Sequence, residues 1–274
     1  GVPLPPETWE EFLEAIKKST KFDRDGGILQ SGVALGTGNN IPYAFDILSL
    51  LMLQNEVIMT DGGYVAFSSG LSNRDITRHP VLEALRFYTD FARPTKEVYS
   101  WNEGLESAFD AFTRGKSVFY FGYAADAGRI RARAPQLPLE VIAVPQLNAE
   151  APVNVASYWM ESVVKKSKHP NEAWDFLRFI TSPDKIRTYT TATRQPSPLR
   201  AHIKEQAEDP LLAPFSQTVL TAKNWYHGRN PSAADKAFRD LITAYLKPYA
   251  ENDEPLKRDA NLVIQAAAVV QQTL

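Results

Sequence analysis

Cysteine is missing from all 274 residues, which removes thiol nucleophiles, disulfides and thiolate metal sites together. Histidine is scarce. The four present, His79, His169, His202 and His227, fall in no paired ligand spacing such as H-E-x-x-H, so neither a metal nor another cofactor is expected. Charge of one sign is lacking too: a formal net charge of -2 with 23% charged residues leaves no broad basic footprint for nucleic acid. No apolar run approaches bilayer-spanning length, so direct membrane insertion is not expected. The serine elbow G-x-S-x-G of many hydrolases is absent. The opening Gly1-Val2-Pro3-Leu4-Pro5-Pro6 has no basic stretch followed by an apolar one, so an exported form would have carried its signal peptide outside this sequence.

What is present is enough apolar material, 44% of residues, for a sizeable core in one or two lobes. Helix signals dominate. Thr8 and Glu11 form a capping box, and Trp9, Phe12, Leu13 and Ile16 recur as one stripe behind it. The stripe should end near Asp23–Gly27, a polar turn with only a faint likeness to a calcium loop. A strand is expected over 28–35 and helices over 42–55 and 80–91. A further helix should carry Leu105, Ala108, Phe109 and Phe112 and stop at Gly115. Strands are expected over 117–121, 139–144 and 158–164, then helices opening at Pro170 and at Ser182-Pro183, where proline needs no amide donor. Three helices, over 210–226, 231–247 and 254–273, should close the chain without a strand. Short strands among many helices indicate an α/β fold.

Few side chains point to chemistry. Glu103, Glu106 and Asp110 on one helix resemble a hydrolytic carboxylate pair, though a solvated face accounts for them better. Arg129, Arg131 and Arg133 form a small basic cluster of the same surface kind. Gly36-Thr37-Gly38-Asn39-Asn40 lacks the lysine and spacing of a phosphate loop but is suited to presenting backbone groups to a polar ligand, with Asn40 as a candidate contact. Aromatic residues beside turns are more informative: Tyr43, Trp101, Tyr123, Tyr158, Trp159, Trp225 and Tyr226. Flat rings stack on the C–H faces of sugars while neighbouring amides and carboxylates bond the hydroxyls. Three readings stay open at this point: a ligand-binding protein, a carbohydrate hydrolase using paired carboxylates, and a helical interaction module.

Four segments, in order along the chain, decide among them. Gly1 to Phe12 resembles the "G-x-x-P-P-x-T-W-x-E-F" entry to the second lobe of family 1 extracellular solute-binding proteins, the maltose-binding-protein-like components of ABC importers. Ala111-Phe112-Thr113-Arg114-Gly115-Lys116-Ser117-Val118 resembles "F-x-x-G-K-x-A-M" in that family. Val163 to Leu177 is similar to "V-x-K-x-S-K-x-P-E-A-A-W-x-F-L", and Ile180-Thr181-Ser182-Pro183 to "L-T-S-P-E".

The resemblance implies a class II periplasmic-binding-protein-like α/β fold, represented by its second lobe and C-terminal helices with the first lobe largely absent. It implies second-lobe sequence over 1–157, a segment crossing to the first lobe over 158–200, and a C-terminal helical region over 201–274. It implies no chemistry on the ligand: a small polar solute, a sugar by this likeness, is held in an interlobe cleft and passed to ABC permease subunits from the periplasm or cell exterior, with a lipid anchor a further option. Carried over residue by residue, it makes Tyr43, after Pro42, the first stacking ring, Tyr123 and Trp225 two more, and Asp126 a nearby carboxylate, with Trp101, Trp159 and Arg194 as secondary contacts. Tyr123-Ala124-Ala125-Asp126 stands where the family carries a tryptophan-bearing turn.

Overall fold

A computed structural model describes residues 4–72 and 78–274, so Gly1, Val2 and Pro3 of the opening motif lie outside it. The chain opens with α1 (Trp9–Ser19), whose capping box is formed as expected: the Thr8 hydroxyl accepts from the Glu11 amide at 3.2 Å, and the Glu11 carboxylate accepts from the Thr8 amide at 3.3 Å. Two short strands follow, β1 (Lys21–Phe22) and β2 (Ile28–Val33), joined by the polar turn in which the Asp23 carboxylate accepts from the Asp25 and Gly27 amides. Helix α2 (Ala44–Gln54) is succeeded by the hairpin strands β3 (Thr60–Asp61) and β4 (Tyr64–Val65), then by α3 (Pro80–Asp90) and α4 (Ala108–Thr113). Strand β5 (Ser117–Phe119) lies parallel to β2, which is antiparallel to β1, giving the three-stranded order β1-β2-β5.

Next come α5 (Ala124–Arg133), β6 (Asn154–Val155), α6 (Pro170–Ile180) and α7 (Pro183–Thr193). A 3-10 turn at Arg200–His202 leads into α8 (Ile203–Gln206) and α9 (Ala213–Thr218). After β7 (Ala222–Lys223), the long helices α10 (Pro231–Leu246) and α11 (Pro255–Gln271) end the chain. The class is mixed α/β.

Four expectations need correction. Residues 139–144 and 158–164 form no strand among the described residues. The first run is bounded by Pro138 and Pro145, and neither run has a neighbouring strand to take its backbone bonds. The helix expected over 210–226 stops at Thr218, with a 3-10 turn to Thr221 and the strand β7 where none was expected. Glu103 and Glu106 precede α4 instead of sharing a helix with Asp110, which removes the imagined carboxylate pair.

The chain divides into two compact units. The first comprises the chain up to Phe121, Val144–Val155 and Lys223–Leu274; the second comprises Gly122–Ala143 and Ala156–Ala222. This partition differs from the boundaries expected at 157 and 200: the 122–143 stretch groups with 156–222, and the return comes at 222. The core of the first unit is built from α1, α2, α3, α10 and α11, with Phe12, Phe91, Tyr88 and Phe238 all at most 1% exposed. A buried amide ties the outlying 144–155 segment to it. The Gln54 carbonyl accepts from the Trp9 indole at 2.6 Å, while its amide donates to the Pro145 and Val153 carbonyls, each at 3.1 Å.

Candidate functional site

Within the first unit, the loop from Gly36 to Tyr43 joins the end of β2 to α2, and three separate elements hold it. From α3, the buried Tyr88 phenol donates to the Thr37 carbonyl at 2.8 Å, and burial pushes that phenol well above its ordinary value. From the segment before α4, Glu103 accepts from the Gly38 amide at 3.2 Å and the Asn39 side chain at 3.4 Å. From α10, Arg239 donates to the carbonyls of Gly38, Ile41 and Pro42. Gly38 is required here because a Cβ would fall 2.8 Å from the Arg239 carbonyl. The loop delivers Tyr43 to the N-cap position of α2, half-buried against the core.

Asn40 bridges instead of reaching outward. Its amide donates to the carbonyls of Asn102 and Leu105, and its own side-chain carbonyl accepts from the Trp101 indole at 3.1 Å. Trp101, expected as a ligand contact, is only 1% exposed, with its indole N–H satisfied by Asn40. Trp225 is likewise in the core, 9% exposed, packed among Phe45, Phe67, His227 and Phe238 with its indole donating to Ser49 at 3.3 Å. The ring of His227 lies 4.4 Å from that of Trp225, and burial lowers its pKa.

The second unit holds the remaining candidates. Tyr123, half-buried, is the N-cap residue of α5. One turn on, the Asp126 carboxylate is 1% exposed and accepts from Arg129 at 2.7 Å, so it is engaged in that ion pair. Trp159 is 97% exposed, between Tyr158 and Met160 that are exposed as well. Arg194 caps α7 in the left-handed region, φ 54°, and pairs with Asp209 at 2.8 Å. Of the eight candidate residues, the structure thus joins Asn40, Tyr43 and Trp101 around one loop, buries Trp225 elsewhere in the same unit, and leaves the other four in the second unit.

One functional-looking residue, Arg239, is missed in the sequence, and another, Glu103, is named there for a different role. Glu103 reads in sequence as part of a helix face, and beyond its i,i+4 neighbour Asp235 nothing near Arg239 hints at its role, since the carbonyls it serves are about two hundred positions away. Among the described residues, no group of three or more histidine or acidic side chains is placed to hold a metal ion, and no helix is long and apolar enough to cross a membrane.

The model for bacterial extracellular solute-binding proteins matches residues 3–245. No curated protein matches the chain in sequence. Solved structures do match in fold. A solute-binding protein of an ABC transporter from Thermotoga lettingae, bound with alpha-D-tagatose, superposes with a TM-score of 0.65 at 20% identity, covering 97% of this chain and 65% of that one. The maltotriose-binding protein of Thermus thermophilus, bound with maltotriose, gives 0.61 at 16% identity, covering 98% and 66%. The sugar-binding protein MalE from Xanthomonas citri gives 0.72 at 15% identity, covering 98% and 65%. At these identities the likeness shows the fold, and the chain spans about two thirds of each neighbour's length.

Proposed function

We propose that this chain, which belongs to the bacterial extracellular solute-binding proteins, is the greater part of the substrate-binding component of an ABC importer for a small sugar. The observation that carries the reading is the family match over residues 3–245, together with neighbours whose bound solutes are sugars. The solute is bound in an interlobe cleft and released unchanged to permease subunits, with the protein working in the periplasm or at the cell exterior.

Tyr43, Tyr123 and Trp159 are the rings we assign to stacking, because each keeps part of its ring outside the core. Asn40, Trp101, Trp225, Asp126 and Arg194 are engaged in contacts within their own units, and we assign them to shaping those units. The neighbours' extra third of chain supplies the rest of the enclosure in our reading. The apolar side chains of the second unit support that: Trp159 is 97%, Met160 82%, Phe176 60% and Phe179 57% exposed.

A thermal-shift screen tests the function. The chain is measured against D-tagatose, maltose, maltotriose and mannotriose, alone and, as an extended form, within the full-length gene product. We expect a melting shift in the extended form, with the sugar recovered intact, and loss of that shift in Tyr43→Ala. Consumption of the sugar would replace the binding-protein reading with an enzymatic one. No shift in either form would remove the sugar assignment.

A further inference from the structure

We infer that Arg239 is the positioning residue of the candidate site, fixing the backbone from which Tyr43 is presented; the inference rests on the sugar-binding reading above. A guanidinium has five N–H donors in a rigid plane and no acceptor. In Arg239 all five are spoken for. Nε donates to Asp235 at 2.7 Å, and Nη2 donates to the other oxygen of Asp235 at 3.1 Å and to the Pro42 carbonyl at 2.6 Å. Nη1 donates to the carbonyls of Gly38 at 2.5 Å and Ile41 at 3.0 Å.

Two consequences follow from this arrangement. With no donor left over, Arg239 is not itself a ligand contact. Its three carbonyls belong to the peptide planes 38–39, 41–42 and 42–43, and the last of these carries the Tyr43 amide. Holding those planes anchors the backbone from which the Tyr43 side chain leaves. Asp235, one turn earlier on α10, orients the fork by a two-point contact. The helix beneath is rigid: Phe238 and Ile242, beside Arg239 on the buried face, are fully enclosed. Lysine cannot substitute, because three donors on one flexible point charge cannot span three carbonyls and a carboxylate.

Two variants and one control test the assignment in the extended chain. Arg239→Lys keeps the charge but loses the fork. Leu241→Ala, on the same helix and 5% exposed, weakens the core without touching the loop. Amide exchange over residues 38–44 is followed without sugar, and the dissociation constant is measured for whichever of maltotriose, mannotriose and D-tagatose the unaltered chain binds most tightly. Arg239→Lys should accelerate exchange across 38–44 and weaken the sugar about tenfold, the equivalent of one lost charge-assisted hydrogen bond. Leu241→Ala should lower the melting temperature more while leaving the dissociation constant unchanged. Arg239→Gln should match Arg239→Lys, since the fork and not the charge is at issue. Equal sugar affinity in Arg239→Lys, unchanged exchange over 38–44, or a Leu241→Ala loss as large as that of Arg239→Lys overturns the assignment. If the unaltered chain binds none of the sugars, the functional reading fails first and this assignment with it; if it binds and the variants bind equally, only the assignment fails.

Discussion

Helices α2 and α6 are each eleven residues long, and their fates differ completely. Nine residues of α2 are buried, including Phe45, Leu48, Leu51 and Met52. None of α6 is buried, although Trp174, Phe176, Leu177, Phe179 and Ile180 make it the more clearly amphipathic of the two in sequence. An apolar stripe specifies a face, but the face becomes core only when other elements of the chain cover it. In the first unit α1, α3, α10 and α11 supply that cover, whereas the second unit leaves its own aromatic side chains at the surface.

Truncating one aromatic ring in each unit should give the largest contrast. Phe238 is fully enclosed, with ring centroids 4.9 Å from Phe45 and 5.6 Å from Phe67, so Phe238→Ala should cost about 3–5 kcal/mol. Phe179, 57% exposed beneath the Lys185 ammonium, should lose no more than about 0.5 kcal/mol on truncation. Chemical denaturation of the two variants measures both. A Phe179→Ala cost comparable to that of Phe238→Ala would mean that α6 is packed in solution and would dissolve the contrast.

An effect of similar size should arise at Gln54, where the first unit holds an outlying segment by polar contacts instead of apolar ones. Gln54→Leu preserves bulk but strands the Trp9 indole N–H and the Pro145 and Val153 carbonyls. Each stranded group costs about 1–3 kcal/mol if no water reaches it. The expected signature is a lower melting temperature with faster amide exchange over 144–155. A variant with unchanged exchange there would show that the segment is held by something other than Gln54.

What is legible in the sequence follows the same division between local and distant causes. The capping box at Thr8, the prolines opening α3, α6 and α7, and the stripes of α10 and α11 are local signals, and the structure has those helices within a few residues of expectation. The family was legible for a related reason: its motifs are short local runs. Burial was not legible. Trp225 lies between Asn224 and Tyr226 and so reads as a ring at a polar turn, yet Phe45 and Phe67 close around it from far along the chain, with Phe238 from the following helix. Trp101 is buried in the same way, its indole bonded to Asn40 some sixty positions earlier. Strands failed where pairing was the missing ingredient, as at 139–144, because alternation describes a strand's faces and not its neighbours. The loop at 36–43 is marked by its glycines, whereas Arg239 shows in sequence only its helical neighbour Asp235 and nothing of the distant carbonyls it holds.

The smallest expected effect is electrostatic and confined to the first unit. His227 has its ring against Trp225 at 4.4 Å and Phe45 at 4.9 Å, and burial there disfavours the imidazolium, lowering its pKa below the ordinary value of 6.5. A base held neutral in the folded state contributes fully above 6.5. As pH falls below that value the unfolded chain takes up a proton that the folded chain resists, so the contribution is lost as pH drops toward the lowered folded pKa. His227→Phe keeps an aromatic ring in the cluster and has nothing to titrate. Its melting temperature, relative to the unaltered chain, should therefore be constant above about pH 7 and rise in the variant's favour between roughly pH 6 and 5. The second unit, which lacks this residue, should show no such difference in amide exchange between the two proteins. Parallel melting profiles across the whole range would mean that the ring is hydrated in solution and that the aromatic cluster around Trp225 is looser than its geometry indicates.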